Sequence, residues 1–227
     1  ALIDRWAAAM GQDEDYRTRV RSAVQGVRDR QGGDPERGES LTANPLLLTC
    51  ALLVYDQQRV LPDALATLYE RMVGILCRAK ETRPAGAKQP YTAEFKRQML
   101  QRVCEAMQRQ GSTALEVREA AGRMLEKDPQ LATLTAATAV LDQLGADTGL
   151  LRFETLQDLN TGRTRRVVRP WHRSFQEFLC ACAIADGNRT VQDETDALID
   201  GPGQVAFDPA WENTLGFLVG VYGDRST

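Results

Sequence analysis

The stretch "TGLLRFETLQDLNTGRTRRVVRPWHRSFQEFLCACAIA", residues 148–185, decides how this chain folds. Two strand-like runs flank Asn160-Thr161-Gly162, residues that tolerate positive φ, so the pattern predicts a β-hairpin. Pro170 ends the second strand. From Trp171 or His172 to about Asp186 the apolar residues return at helix spacing. His172 is the one histidine of the chain, and it sits where the arginine-rich strand gives way to the apolar helix.

Working outward, the rest of the chain reads as helical. Leu2, Ile3, Trp6 and Met10, then Val20, Val24 and Val27, recur at helical intervals, so residues 2–30 are predicted to be helix. "QGGDPERGES" (31–40) interrupts that pattern. Asn44 is a good N-cap, and Pro45 fits the first helical position, where its missing N–H costs nothing. The run from Leu46 to Tyr55 is apolar almost all round, which predicts a central, buried helix. Pro62 or Asp63 opens the next, with Leu65, Leu68, Met72, Ile75 and Leu76 on its inner face. "ETRPAGAKQP" (81–90) is a loop by composition and marks a subdomain boundary. Thr92 then caps a helix whose stripe is Phe95, Met99, Val103 and Met107. "TALEVREAAGRMLEKD" and "LTAATAVLDQLGAD" read as two more amphipathic helices before the hairpin. After it, a short helix near 191–199, a Gly-Pro-Gly turn and a last apolar helix near 209–222 complete the chain.

The predicted class is mainly α. A helical bundle is followed by a winged-helix module with a two-stranded hairpin wing and C-terminal helices. The predicted divisions are 1–84 (helical subdomain), 85–188 (winged helix) and 189–227 (a following helical region).

Composition narrows the function. At 43% hydrophobic residues the chain can build a proper core, and a net charge of −3 excludes polyanion binding by bulk charge. The five cysteines, Cys50, Cys77, Cys104, Cys180 and Cys182, form no CxxC pair, and with a single histidine no zinc set can be assembled. Their odd number argues against a secreted disulfide framework and points to a reduced, cytoplasmic setting. No apolar run reaches the roughly 18–20 residues of a membrane span. The chain opens inside a helical pattern, which points to a segment of a longer protein. It has no GxxxxGK[ST], no GxGxxG, no HExxH and no serine elbow, so catalysis by this segment alone is not expected.

Three features remain as site candidates. His172 stands at a helix start, where unpaired N–H groups and the dipole favour an anion; a ring N–H can be aimed at the same anion, or the ring can simply be structural. Gln176, one turn on, can orient it, and Arg173 and Glu177 can pair on the outer face. Arg163, Arg165, Arg166, Arg169 and Arg173 form a local basic cluster, which reads either as a wing laid on nucleic-acid backbone or as a solvated strand face. Carboxylates on the helices before the wing, Glu116, Glu119 and Glu126, favour the second reading. Pro45 reads as a helix-starting proline or as a rigid ring set against a flat ligand base.

Two of these stretches carry a resemblance. "NPLLLT" (44–49), Leu61-Pro62 and Leu68-Tyr69-Glu70 resemble the helical subdomain that follows the nucleotide-binding core of NACHT-type signalling ATPases of the STAND class. "TGLLRF" (148–153) and "WHRSFQEFLCACAIA" (171–185) resemble the end of that family's winged-helix subdomain. The resemblance extends loosely over residues 1 to about 190, and the stretch from 207 onward looks like the opening of the helical region that follows. It implies the regulatory half of an ATP/ADP-switched protein in cytoplasmic signalling or defence. The core, with its P-loop and magnesium-binding acids, would be supplied by an upstream part of the same protein. Pro45 would lie against the adenine, and His172 would contact the β-phosphate of ADP and hold the protein closed. ATP would release that contact and permit self-association, while this segment alone would bind ADP weakly or not at all. Two departures stand out: Pro170-Trp171 replaces the aromatic or apolar pair usual before the histidine, and the wing is unusually rich in arginine. The alternative is a winged-helix nucleic-acid-binding regulator, contacting its target through Arg163, Arg165, Arg166 and Arg169.

Overall fold

Local capping chemistry sets most of the element boundaries. The computed structural model describes residues 2–31, 45–78, 91–127, 131–157, 162–187, 198–199 and 205–225. These fall into two compact units, 1–75 and 76–227.

In the first unit, residues 2–31 form two helices rather than one, α1 (Leu2–Ala9) and α2 (Glu14–Gln31). Gly11 has φ of 64°, and Gln12 N donates to Ala7 O at 2.9 Å while Gly11 N donates to Ala8 O at 3.2 Å. That is a Schellman stop. Asp13 then caps α2 by accepting from Tyr16 N at 2.8 Å. Residues 11–15, Gly-Gln-Asp-Glu-Asp, carry no apolar side chain, and Gly11 and Asp13 are of the types that stop and start helices. Helix α3 (Pro45–Gln58) buries Leu47, Ala51, Leu52, Val54 and Tyr55, and Tyr55 meets Tyr16 of α2 edge-on at 5.8 Å. Helix α4 (Leu65–Arg78) buries Leu68, Tyr69, Met72, Val73 and Cys77, while Leu65, expected on the inner face, is exposed. The division between the units falls within α4.

In the second unit, helix α5 (Ala93–Arg109) starts at Thr92, whose hydroxyl accepts from Phe95 N at 3.2 Å. A two-residue strand β1 (Leu115–Glu116) leads into α6 (Val117–Lys127), and α7 (Leu134–Thr148) follows. Gly149, in the left-handed region at φ 68°, ends α7 and turns the chain into the hairpin β2 (Leu151–Gln157) and β3 (Thr164–Pro170). The hairpin is antiparallel, from Leu151↔Pro170 to Gln157↔Thr164; its tip, 158–161, lies outside the described residues. The sheet has three strands, not two, in the order β1-β3-β2, with Leu115↔Val168 and Glu116↔Val167 on the added edge. Two residues are too short a run to show a period of two, and β1 reads as the start of α6. Gly145 lets α7 approach β2: a Cβ there would lie 2.5 Å from Phe153 Cε2 and 3.2 Å from Leu151 O.

Helix α8 (Arg173–Ala185) is the centre of this unit. Residues 175–182 are all buried, between α5 on one side and α9 (Glu212–Arg225) on another. Phe178 meets Phe217 of α9 edge-on at 5.5 Å. Two short 3₁₀ turns, Val205–Phe207 and Pro209–Trp211, precede α9. The linker segments 32–44, 79–90 and 188–197 lie outside the described residues, as do the expected Asn44 cap, the proline-bearing loop, the Gly-Pro-Gly turn and most of the short helix near 191–199. All five cysteines are buried and none is in a disulfide. Burial pushes the Cys50 thiol up to about 11 and the Cys104 thiol up to about 12, so both stay protonated and unreactive.

Candidate functional site

His172 is held by what it does for its own helix. After Pro170 leaves the sheet, Trp171 N donates to Leu150 O at 2.7 Å, which closes the end of the hairpin. His172 follows with extended backbone, φ −142° and ψ 144°, as the N-cap of α8. Its Nδ1 accepts from Ser174 N at 3.2 Å and lies 2.6 Å from Ser174 Oγ. A histidine here takes the place usually filled by Ser, Thr, Asp or Asn. An Nδ1 that accepts a backbone N–H is unprotonated, so in this geometry the neutral ring carries its proton on Nε2. The ring is half-buried.

Gln176 does not orient His172, contrary to expectation. Its Nε2 donates to Gln108 Oε1 at 2.9 Å and to Ser112 O at 3.0 Å. Gln108 Nε2 in turn donates to Ala210 O at 2.8 Å. This chain of bonds ties the end of α5 and the start of α8 to the turn before α9. Residues far apart in sequence meet here, so helical spacing around His172 could not reveal it. Arg173 and Glu177 pair as expected, Nε to Oε1 at 2.9 Å, but Glu177 is 3% exposed and does not lie on an outer face. The Arg173 guanidinium also reaches Ala210 O at 3.4 Å.

The arginine cluster is largely matched by carboxylates from other elements. Arg166 makes a two-pronged contact with Asp142 of α7, at 3.0 and 2.7 Å, and its guanidinium lies 4.6 Å from the centre of the Phe153 ring. Arg165 is 3.7 Å from Glu116, and Arg169 is 3.0 Å from Glu154, which also lies 3.5 Å from Arg152. The stretch 163–173 contains no acid, yet folding brings Glu116, Asp142 and Glu154 to it. Of these residues, Glu116, Asp142, Arg165 and Arg166 line an open groove of about 800 Å³ between the start of α6, the outer face of α7 and β3. That face of α7 offers Thr135, Ala139 and Asp142, with no basic residue among them.

Pro45 is the first residue of α3 and is exposed, and its carbonyl accepts from Thr49 Oγ1 at 2.8 Å. It belongs to the first unit and His172 to the second. Among the described residues no group of three or more His, Cys, Asp or Glu side chains is placed to hold a metal ion, and no helix is long and apolar enough to cross a membrane. No family model, no curated protein and no solved structure matches this chain.

Proposed function

We propose that this chain is the regulatory helical and winged-helix portion of a NACHT-like ATP/ADP-switched signalling protein. The second unit runs helix, short strand, helix, helix, then hairpin, and the returning strand lies centrally. That order supports a winged helix, and α8 is the helix appended to it. The observation that carries the reading is the placement of His172. It stands where the wing's last strand becomes α8, with Nδ1 committed to the helix cap and the proton on Nε2. A ring fixed in that tautomer offers the kind of donor that a phosphate oxygen accepts.

In this reading the nucleotide-binding core of the same protein holds ADP, with magnesium, against Pro45 and His172, and cytoplasmic defence or signal transduction is the setting. The contact exists in one nucleotide state and not in the other. A difference of about 1.4 kcal/mol between the two states shifts a closed–open equilibrium tenfold. Exchange for ATP then favours the open form and self-association.

The test is a pair of substitutions in the full-length protein. His172→Asn keeps a capping acceptor and removes the Nε2 donor, and His172→Ala removes both. Both are expected to shift the ADP-bound protein from closed monomer toward assembly on size exclusion. A closed monomer unchanged by either would reject the switch role. The chain by itself should bind ADP weakly or not at all. The nucleic-acid reading has less support, because Arg165, Arg166 and Arg169 each face a carboxylate. Polarisation titration against duplex DNA at two salt concentrations would revive it if affinity fell steeply with salt.

A further inference from the structure

One buried charge in the second unit takes no part in the proposed nucleotide contact. Lys96 of α5 is 0% exposed, and its partner Asp147 of α7 is 1% exposed at the side chain. Lysine is almost never fully buried unless it is paired. The Lys96 ammonium donates to Cys77 O at 3.1 Å and lies 3.5 Å from Asp147 Oδ2. Gln143 Nε2 donates to the same carboxylate oxygen at 3.4 Å. Cys77 is in the last turn of α4, where carbonyls lack an intrahelical partner and the helix dipole is negative. One side chain therefore joins the end of α4, the first turn of α5 and the last turn of α7.

We propose that Lys96 is a positioning latch that fixes the last turn of α4 on α5 and α7. Stability alone is a poor reason for such a group. Removing two charges from water offsets most of their attraction, and a well-packed apolar pair of similar volume holds such a site as firmly. What the charged pair adds is direction. An apolar contact tolerates a slide of α4, whereas the bond to the Cys77 carbonyl forms at one position only. Helix α4 has residues 65–75 in the first unit and 76–78 in the second. The residues that this bond anchors, 76–78, belong to the same unit as α5 and α7.

The test compares Lys96→Met with the double variant Lys96→Met/Asp147→Leu, both in the chain as it stands. The single variant leaves a buried carboxylate without its cation, and its Tm is expected to fall by roughly 10 °C. The double variant is expected to regain most of that loss. Hydrogen exchange should nevertheless remain about tenfold faster in residues 74–78 of both variants. In the double variant, α5 and α7 should exchange as in the parent chain. A double variant as protected in residues 74–78 as the parent would overturn the proposal. So would a double variant as unstable as the single one, because the pair would then be a stabilising contact and not a positioning one.

Discussion

Helix α3 starts at Pro45 in the first unit and α8 starts after His172 in the second, and the two ends are stabilised by different means. Pro45 acts through its backbone. Its φ is set before folding and it has no N–H to satisfy. His172 acts through its side chain, which accepts the Ser174 N–H and so fixes the tautomer of the ring. The first arrangement leaves the ring of Pro45 exposed and uninvolved in the helix. In the second the ring serves the fold, so under the proposed function a substitution at His172 would change structure and binding together unless the cap is preserved. At Pro45 the two can be separated directly.

The largest expected effect lies away from both starts. Leu52 of α3 and Phe178 of α8 are both completely buried. Leu52→Ala and Phe178→Ala each remove core volume, at a cost of about 3–5 kcal/mol. Denaturant unfolding followed by tryptophan fluorescence checks this. If the units unfold independently, Leu52→Ala shifts one transition and Phe178→Ala the other; a single shared transition would show that the two helices report on one cooperative structure. Either result would leave their interiors equivalent and confine the contrast to their ends.

The contrast itself is expected to appear at His172. His172→Ala removes the cap and is expected to cost about 1 kcal/mol of the second unit's stability. His172→Asn restores an acceptor and should fall within about 0.5 kcal/mol of the parent chain. Equal losses from both variants would mean that the imidazole contributes packing that the cap alone does not explain.

The unequal legibility of these regions has a physical basis. α8, the hairpin and the Thr92 cap are local features, set by residues within a turn or a strand of one another, and their outlines follow from spacing. The break between α1 and α2 is local too: Gly11 and Asp13 mark it by type, and a reading that follows only the apolar residues on either side passes over it. Strand β1 is fixed by its partner Val167-Val168, some 50 residues away, and not by its own pattern. The same holds at the candidate site. His172 stands out because it is unique and sits at a change of period. The true partners of Gln176, Arg166 and Lys96 arrive from α5, α7 and α4, and nothing in the flanking sequence announces them. An arginine cluster that looks uncompensated along the chain is compensated in space.

The smallest effect completes the comparison. Pro45→Ala frees the unfolded backbone and so favours the unfolded state by about 0.4–1 kcal/mol. In the folded state the new N–H is one of the first-turn donors, and at an exposed position water satisfies it. The midpoint of urea unfolding of the first unit should therefore fall by that small amount and no more. If Pro45 serves only as a helix start, that is all the substitution does. If its ring lies against a nucleotide base in the full-length protein, the same variant should weaken ADP binding several-fold with no further fall in the midpoint. A loss of stability well above about 1 kcal/mol would break the comparison from the other side. It would mean that the proline ring, like the histidine ring of α8, is a packed part of its own helix start.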